Sequence, residues 1–288
     1  MMDFPSCFGE NGVLVADSSS STVSKASQNA VTCIYKSIFL GKSYLITITW
    51  NKNVMGHSLN VEIADLSGQS LCKADVRPSF FSKRKGSKSL EFNRIKIDLY
   101  WDLSSAKFES SPEPLEGFYI ALVCKQEMIL LIGNMGKEAL KMTNAVHSLD
   151  GSSMMCIAKR ENVYGTRVFS TRTQFGDNGP IHNLIIECDV TIGAREPWML
   201  IRVDKKIVMK VKRLQWKFRG NQTFWVDGFP VEVFWDVYNW LFGTGNGVFM
   251  FQTRFSKLDG LPNLERFEDC KLLAGSGFSL ILYAWKNK

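Results

Sequence analysis

"VEVFWDVYNW", residues 231–240, places four aromatic side chains and two carboxylates in ten positions. Pro230 before it and Gly243 after the longer stretch "VEVFWDVYNWLF" have the look of helix start and stop signals. The same wording occurs earlier in the chain in a form that decides otherwise. In "IKIDLYWDL", residues 95–103, Ile95, Ile97, Leu99, Trp101 and Leu103 alternate strictly with Lys96, Asp98, Tyr100 and Asp102. A period of two is that of a half-buried strand. By analogy Val231, Val233, Trp235 and Val237 face a core, and Glu232, Phe234, Asp236 and Tyr238 face outward or toward a second layer. The rings are core filling, each contributing about 2 to 3 kcal/mol when buried.

The two stretches belong to a longer repetition. "YLITITW" and "SLNVEIAD", a basic stretch, then "IKIDLYWDL" and "GFYIALV" follow the same order as "NLIIECDV", "WMLIRVD", a basic stretch, "VEVFWDV" and "GVFMFQT". Short β-branched and aromatic runs separated by Gly, Pro, Asn and Asp dominate the remainder, including "VTCIYKSIF", "EMILLIG", "TRVFSTRTQF", "KIVMKVK" and "FSLILYAWK". Only 136–144 and 261–269 read as helical. The expectation is an all-β protein, an antiparallel β-sandwich or open barrel with an internal duplication and few short helices. Residues 1–30, Ser-rich through "ADSSSSTVSKASQNA", read as a flexible N-terminal segment. Residues 31–150 form the first β half, and 151–288 a second half packed on it.

Three of these segments, "IDLYWDLSSAKF", "FWVDGFPVEVFWDVYNWLF" and "GFSLILYAWK", resemble a plant family catalogued as domain of unknown function 868. The similarity covers nearly all the chain after the lead-in. The resemblance implies a plant source and supplies no catalytic residue.

Composition sets the remaining bounds. Of 288 residues, 45% are hydrophobic, enough to drive a packed core. No apolar run approaches the roughly 18 residues of a spanning helix, and the first residues lack the basic and apolar regions of a secretory signal. The seven cysteines are widely spaced with no C-x-x-C pair, which predicts reduced thiols and a cytoplasmic or nuclear protein. His57, His147 and His182 stand alone and read as loop histidines. "GTGNGV", 243–248, joins two candidate strands and reads as a hairpin loop. Asp98 and Asp102, like Glu232 and Asp236, lie four apart on one strand face, about 13 Å, too far for a glycosidase carboxylate pair. No catalytic residue, metal ligand or cofactor is assigned.

Charge is distributed unevenly. Between Arg202 and Arg219 eight cations face one acid, Asp204; the segment holds a net +7, which is the net charge of the whole protein. The candidate polyanion-binding residues are Lys205, Lys206, Lys210, Lys212, Arg213, Lys217 and Arg219, with Lys83, Arg84 and Lys85 in a loop at the equivalent place of the first half. Alternation slips near Arg213, which predicts a bulge or turn between two strands with basic outer faces, Leu214, Trp216 and Phe218 pointing away from Lys217 and Arg219. The plainest reading of these basic strand faces is that they keep sheet edges soluble and guard them against pairing. The functional reading is non-catalytic binding of unknown specific role, the partner a polyanion, either an anionic membrane surface or nucleic acid without sequence readout, or another protein. The alternatives are a protein-interaction module anchored on exposed rings such as Phe234, Tyr238 and Trp240, and an enzyme whose site leaves no sequence motif.

Overall fold

The computed structural model of the protein describes residues 29–54, 56–77, 84–109, 111–146, 154–175, 179–189, 196–254 and 277–286. In chain order the elements are β1 (Ala30–Phe39), β2 (Lys42–Asn53), β3 (Gly56–Ala64), β4 (Ser70–Val76), β5 (Lys85–Phe92), β6 (Ile95–Asp102), β7 (Tyr119–Cys124), β8 (Glu127–Gly133) and α1 (Gly136–Thr143). They continue with β9 (Met154–Gly165), β10 (Val168–Thr173), β11 (His182–Asp189), β12 (Trp198–Val203), β13 (Lys206–Val211), β14 (Arg219–Val226), β15 (Phe229–Asp236), α2 (Tyr238–Phe242), β16 (Gly247–Arg254) and β17 (Gly277–Lys286). The protein is all-β, as the alternation predicts, and α1 falls where the sequence places a helix. Residues 1–28 of the lead-in, His147 and the stretch 261–269 read as helical lie outside the described residues.

The strands form one nine-stranded sheet, β14-β15-β16-β17-β9-β1-β2-β3-β4, and two four-stranded sheets, β5-β6-β7-β8 and β10-β11-β12-β13. No described sheet closes on itself, so the architecture is that of sandwiches rather than a barrel. One core lies between β1–β4 and β5–β8, with Ile46, Ile48 and Trp50 against Ile97, Leu99 and Ile120. The other lies between β14–β17 and β10–β13, with Val233, Phe249 and Leu280 against Leu184, Ile186 and Met199. Register shows that both four-stranded sheets cover the same face of the large sheet. Cys33 pairs Lys159 and Val31 pairs Glu161, while Lys159 and Glu161 in turn pair Leu280 and Leu282. Residues paired across strands share a face, so the first core, the Lys159–Glu161 pair and the second core follow one another along it.

Lys159 therefore sits at the seam, its side chain only 15% exposed, with Nζ 2.8 Å from Glu113 Oε2 and 3.6 Å from Glu161 Oε2. Burial alone would lower its pKa, but the two carboxylates outweigh that and hold the ammonium charged. The Thr171 hydroxyl donates to Glu161, so loop 111–116, β9 and β10 meet in one polar knot.

A local motif occurs twice and explains the opening sequence. Gly86 lies across from Trp101, and Gly220 across from Trp235. A Cβ would stand 2.8 Å from the Trp101 ring and 2.5 Å from the Trp235 ring, so only glycine lets each indole lie flat on the neighbouring strand. The aspartate after each Trp binds the cation before each Gly, Asp102 to Lys85 at 3.2 Å and Asp236 to Arg219 at 2.8 Å. Each aspartate also accepts from the backbone N–H two residues on, Ser104 or Tyr238, at 3.0 Å. The N–H of Leu103 donates to the Arg84 carbonyl and that of Val237 to the Phe218 carbonyl, both at 2.8 Å.

Several expectations are corrected. The strand reading of 231–240 holds through Asp236; the Asp236 carboxylate then receives the Tyr238 N–H and the chain turns into α2, so "GTGNGV" joins a helical turn to β16. The basic stretch at 83–88 is not a loop from Lys85 onward but β5, paired to β6 along its whole length. Arg213 adopts φ 55 and 213–217 form a turn, so the second basic-faced strand starts at Arg219 and not at Leu214. β9, which the pattern does not announce, is the central strand of the large sheet.

His182 opens β11 rather than lying in a loop, its side chain 8% exposed. Its Nδ1 is 2.9 Å from Asp204 Oδ2, in the β12–β13 turn, and its Nε2 is 2.8 Å from Asp227 Oδ2, in the β14–β15 turn. Two acceptors require both ring nitrogens to carry protons. Burial alone would lower the ring's pKa; the hydrogen bonds it donates to both carboxylates outweigh that and raise it above the ordinary imidazole value. The clasp joins a four-stranded sheet to the large one. A raised folded-state pKa gives stability that is full below the unfolded value and lost as pH rises through the folded one.

Three outcomes are expected. Thermal melts of wild type and His182→Gln differ more at about pH 5.5 than at about pH 8.5; equal differences would show a neutral ring. Gly220→Ala and Gly86→Ala each lower the urea-unfolding free energy by about 1 to 3 kcal/mol through overpacking against their indoles. Lys159→Ala, which strands the buried Glu161 carboxylate and the half-buried Glu113 carboxylate, lowers it by about 3 kcal/mol.

Candidate functional site

The cation-rich segment begins where the clasp ends. Asp204 takes φ 54 at the β12–β13 turn, with its carboxylate held by His182 and by the Asn183 N–H. Those hydrogen bonds keep the carboxyl below the usual carboxylate range and tie it away from Lys205 and Lys206, which follow it into solvent. β13 is an edge strand: Met209 and Val211 point into the core and Lys210 out, while Lys206, beyond the bulge in the β12–β13 ladder, pairs Val203 and stands exposed at the rim of the core face. Lys212 and Arg213 continue past the strand, both exposed.

The loop after β13 is pinned from beneath. Leu214 is fully buried, and its N–H donates to the Pro197 carbonyl at 2.8 Å. The N–H of Trp216 donates to the Arg213 carbonyl at 2.9 Å, and that of Lys217 to Leu214 at 3.2 Å, closing a tight turn. The Lys217 carbonyl accepts from the Trp235 indole N–H at 2.9 Å. This turn lifts Trp216 to 80% exposure, the most exposed ring among the described residues. A hydrophobe pinned outward in this way departs from the strand expectation, in which Trp216 would share the buried side of Leu214.

Next to the turn, Phe218, Tyr238 and Phe242 form an aromatic cluster with ring centroids 5.0 to 6.0 Å apart. Arg219 caps it, 5.7 Å above the Phe218 ring and 5.8 Å above Tyr238. The ring anchors named from sequence divide accordingly. Tyr238 is on the surface, and Phe234 is half-buried on the face of the large sheet opposite the four-stranded sheets. Trp240 is buried, 2% exposed, stacked on Phe169 and donating its indole N–H to the Ala284 carbonyl. Trp216 and Phe242 were not singled out; an indole inside a run of cations was the available signal for the first.

The predicted basic residues also separate into two kinds. Arg219 and Lys85 are committed to Asp236 and Asp102, and Arg202 to Glu187 at 2.7 Å. Arg84, next to Lys85 in the chain, is exposed, and Lys83 lies outside the described residues. Lys205, Lys206, Lys210, Lys212, Arg213 and Lys217 make no ion pair among the described residues.

Elsewhere among the described residues, an open hollow of about 300 Å³ adjoins the His182 clasp, between Lys205, Lys206, Val208 and Trp225. Another, of about 460 Å³, lies on the face of the large sheet opposite the two four-stranded sheets, between Thr32, Thr49, Asn51, Arg160, Asn162 and Tyr283. His57 stacks on Phe108 at 3.8 Å and faces the Pro112 carbonyl. Cys33, Cys124 and Cys188 are buried thiols whose pKa values burial raises, that of Cys188 to about 12. No group of His, Cys, Asp and Glu among the described residues is arranged to hold a metal, and no described helix is long and apolar enough to cross a membrane.

No curated protein and no solved structure matches the chain. A family model does: the one described as plant protein of unknown function, DUF868, matches residues 26–286, which span the described strands from β1 to β17. The resemblance carried by the two Trp-Asp strands and the "GFSLILYAWK" ending thus extends through the whole fold, and the chain belongs to the DUF868 family of plant proteins.

Proposed function

We propose that the protein is a non-catalytic binding protein of the cytoplasm or nucleus, built from two β halves, 31–150 and 151–288, that engages a polyanion through Lys205, Lys206, Lys210, Lys212, Arg213 and Lys217. The observation that carries this reading is the concentration of these six cations, none in an ion pair among the described residues, within 205–217. Lys73, Lys96, Lys107 and Arg167, elsewhere on the surface, each lie within 4 Å of a carboxylate. From Lys205 to Arg219 the chain contains no acid at all. Guarding a sheet edge accounts for Lys206 and Lys210 on β13. It does not account for Lys212, Arg213 and Lys217, which stand in a turn that offers no edge. A cluster of like charges left uncompensated has its largest gain in free energy when it meets phosphate or carboxylate groups.

The buried free thiols of Cys33, Cys124 and Cys188 support a reducing compartment. A second reading, capture of a protein partner on the Tyr238 and Phe242 rings, draws on their exposure.

The expected behaviour is retention on heparin that falls steeply with salt and is lost when Lys210, Lys212 and Lys217 are all changed to Glu, with an unchanged thermal melt. Changing Lys73, Lys96 and Lys107 to Glu, the same alteration of net charge, leaves most of the retention. Equal loss in both sets would leave only net charge at work and would overturn the assignment; salt-insensitive capture of a protein lost on Tyr238→Ala would favour the second reading.

A further inference from the structure

We propose that the polyanion is the surface of an anionic lipid bilayer, and that Trp216 enters its headgroup layer while Arg213, Lys217 and Lys212 engage the lipid phosphates. The inference rests on the polyanion reading and goes beyond it by naming the partner and the residue that penetrates.

A lone charged surface does not distinguish lipid from nucleic acid. The exposed ring does. Indoles concentrate at membrane interfaces because the ring is apolar and its N–H polar, so the side chain is accommodated at the depth where hydrocarbon meets headgroups. Lys and Arg beside it can lay their stems along the same apolar zone and keep their charges at the phosphates. Trp216 has that setting: it is 80% exposed, at the outer end of a turn whose backbone hydrogen bonds run to Arg213 and Leu214, with Lys217 next in the chain. Burial of Leu214 and the bond from Trp235 to the Lys217 carbonyl fix the turn before any partner arrives. Little conformational freedom is then lost on contact.

Single-stranded nucleic acid calls for a different surface, a groove that tracks the backbone with successive rings for successive bases. Here the ring stands on a projecting turn, and the neighbouring rings, Phe218, Tyr238 and Phe242, pack on one another rather than lying open as separate platforms. Their exposed parts, with Phe242 and Tyr238 partly in solvent, add apolar surface next to the insertion point. Charge complementarity selects the leaflet: a segment with no acid from Lys205 to Arg219 gains from phosphatidylserine and gains nothing from neutral phosphatidylcholine.

The test is co-sedimentation of the full chain with vesicles of phosphatidylcholine alone and of phosphatidylcholine mixed with phosphatidylserine. It is run beside retention of a single-stranded oligonucleotide and of heparin. Binding is expected only with phosphatidylserine present. Trp216→Ala, at a surface position that leaves the melt unchanged, weakens it about ten-fold, and each of Arg213→Gln and Lys217→Gln about five-fold. A second readout follows Trp216 directly: the blue shift of tryptophan emission on adding phosphatidylserine vesicles is present in wild type and absent in Trp216→Ala. Vesicle binding that ignores these three substitutions overturns the inference. Retention of heparin or oligonucleotide without vesicle binding also overturns it and leaves the polyanion reading standing. Failure to bind any of the probes overturns both.

Discussion

The structure depends on β9 having a partner on each side. Antiparallel pairing with β1 and parallel pairing with β17 make one sheet of what would otherwise be two, and place both sandwiches on the same face of it. Because β9 lies under the seam between two cores, its inward positions cannot all be filled by the apolar side chains of either. Lys159 and Glu161 occupy two of them, and with Glu113 they turn the gap between cores into an ion-paired junction. Such a junction adds little net stability compared with an apolar one, but it fixes register, since sliding β9 by one residue would carry both charges to the opposite face.

The Trp-Asp motif connects this scaffold to the binding surface. Trp235 fills the core over Gly220, and its indole N–H reaches out of the core to the Lys217 carbonyl. Asp236 holds Arg219, and the Val237 N–H holds the Phe218 carbonyl. Lys217, Phe218 and Arg219, where the loop runs into β14, are thus fastened to Trp235, Val237 and Asp236 at the end of β15. The aromatic density of 231–240 serves packing first, and through that packing it orients the turn that carries Trp216. The His182 clasp performs the corresponding task at the other end of β13, where it engages Asp204, the one acid of the cation-rich segment.

Much of this was legible in the sequence, and the omissions have physical causes. The strands that alternate cleanly, such as β6 and β15, follow from their period alone, and comparison of the two halves resolves the helical signals around Pro230. β9 escapes because "IAKREN" places charges where alternation demands apolar groups, and only the position of the strand between two cores makes that tolerable. β5 and β14 escape because their first residues face solvent and their glycines are reserved for indoles packed from the neighbouring strand. The special place of His182 depends on partners 22 and 45 positions away, brought together by two separate turns. For the binding surface, the run of cations was visible but their division into paired and unpaired was not, since that depends on which carboxylate lies across the ladder.

The parallel pair β9–β17 also sets a timetable for the nascent chain. Trp285 binds Asn162 across 123 positions, and every other bond of that ladder spans a comparable length. Antiparallel meanders such as β1–β4 can zip up as soon as they leave the ribosome, whereas β9 must wait with one flank bare until β17 is synthesised. Loop closure of that length is slow, so the half-finished sheet presents an open template at its own centre during translation. A ribosome stalled before β17 would release a chain whose most adhesive edge lies in the middle of its largest sheet.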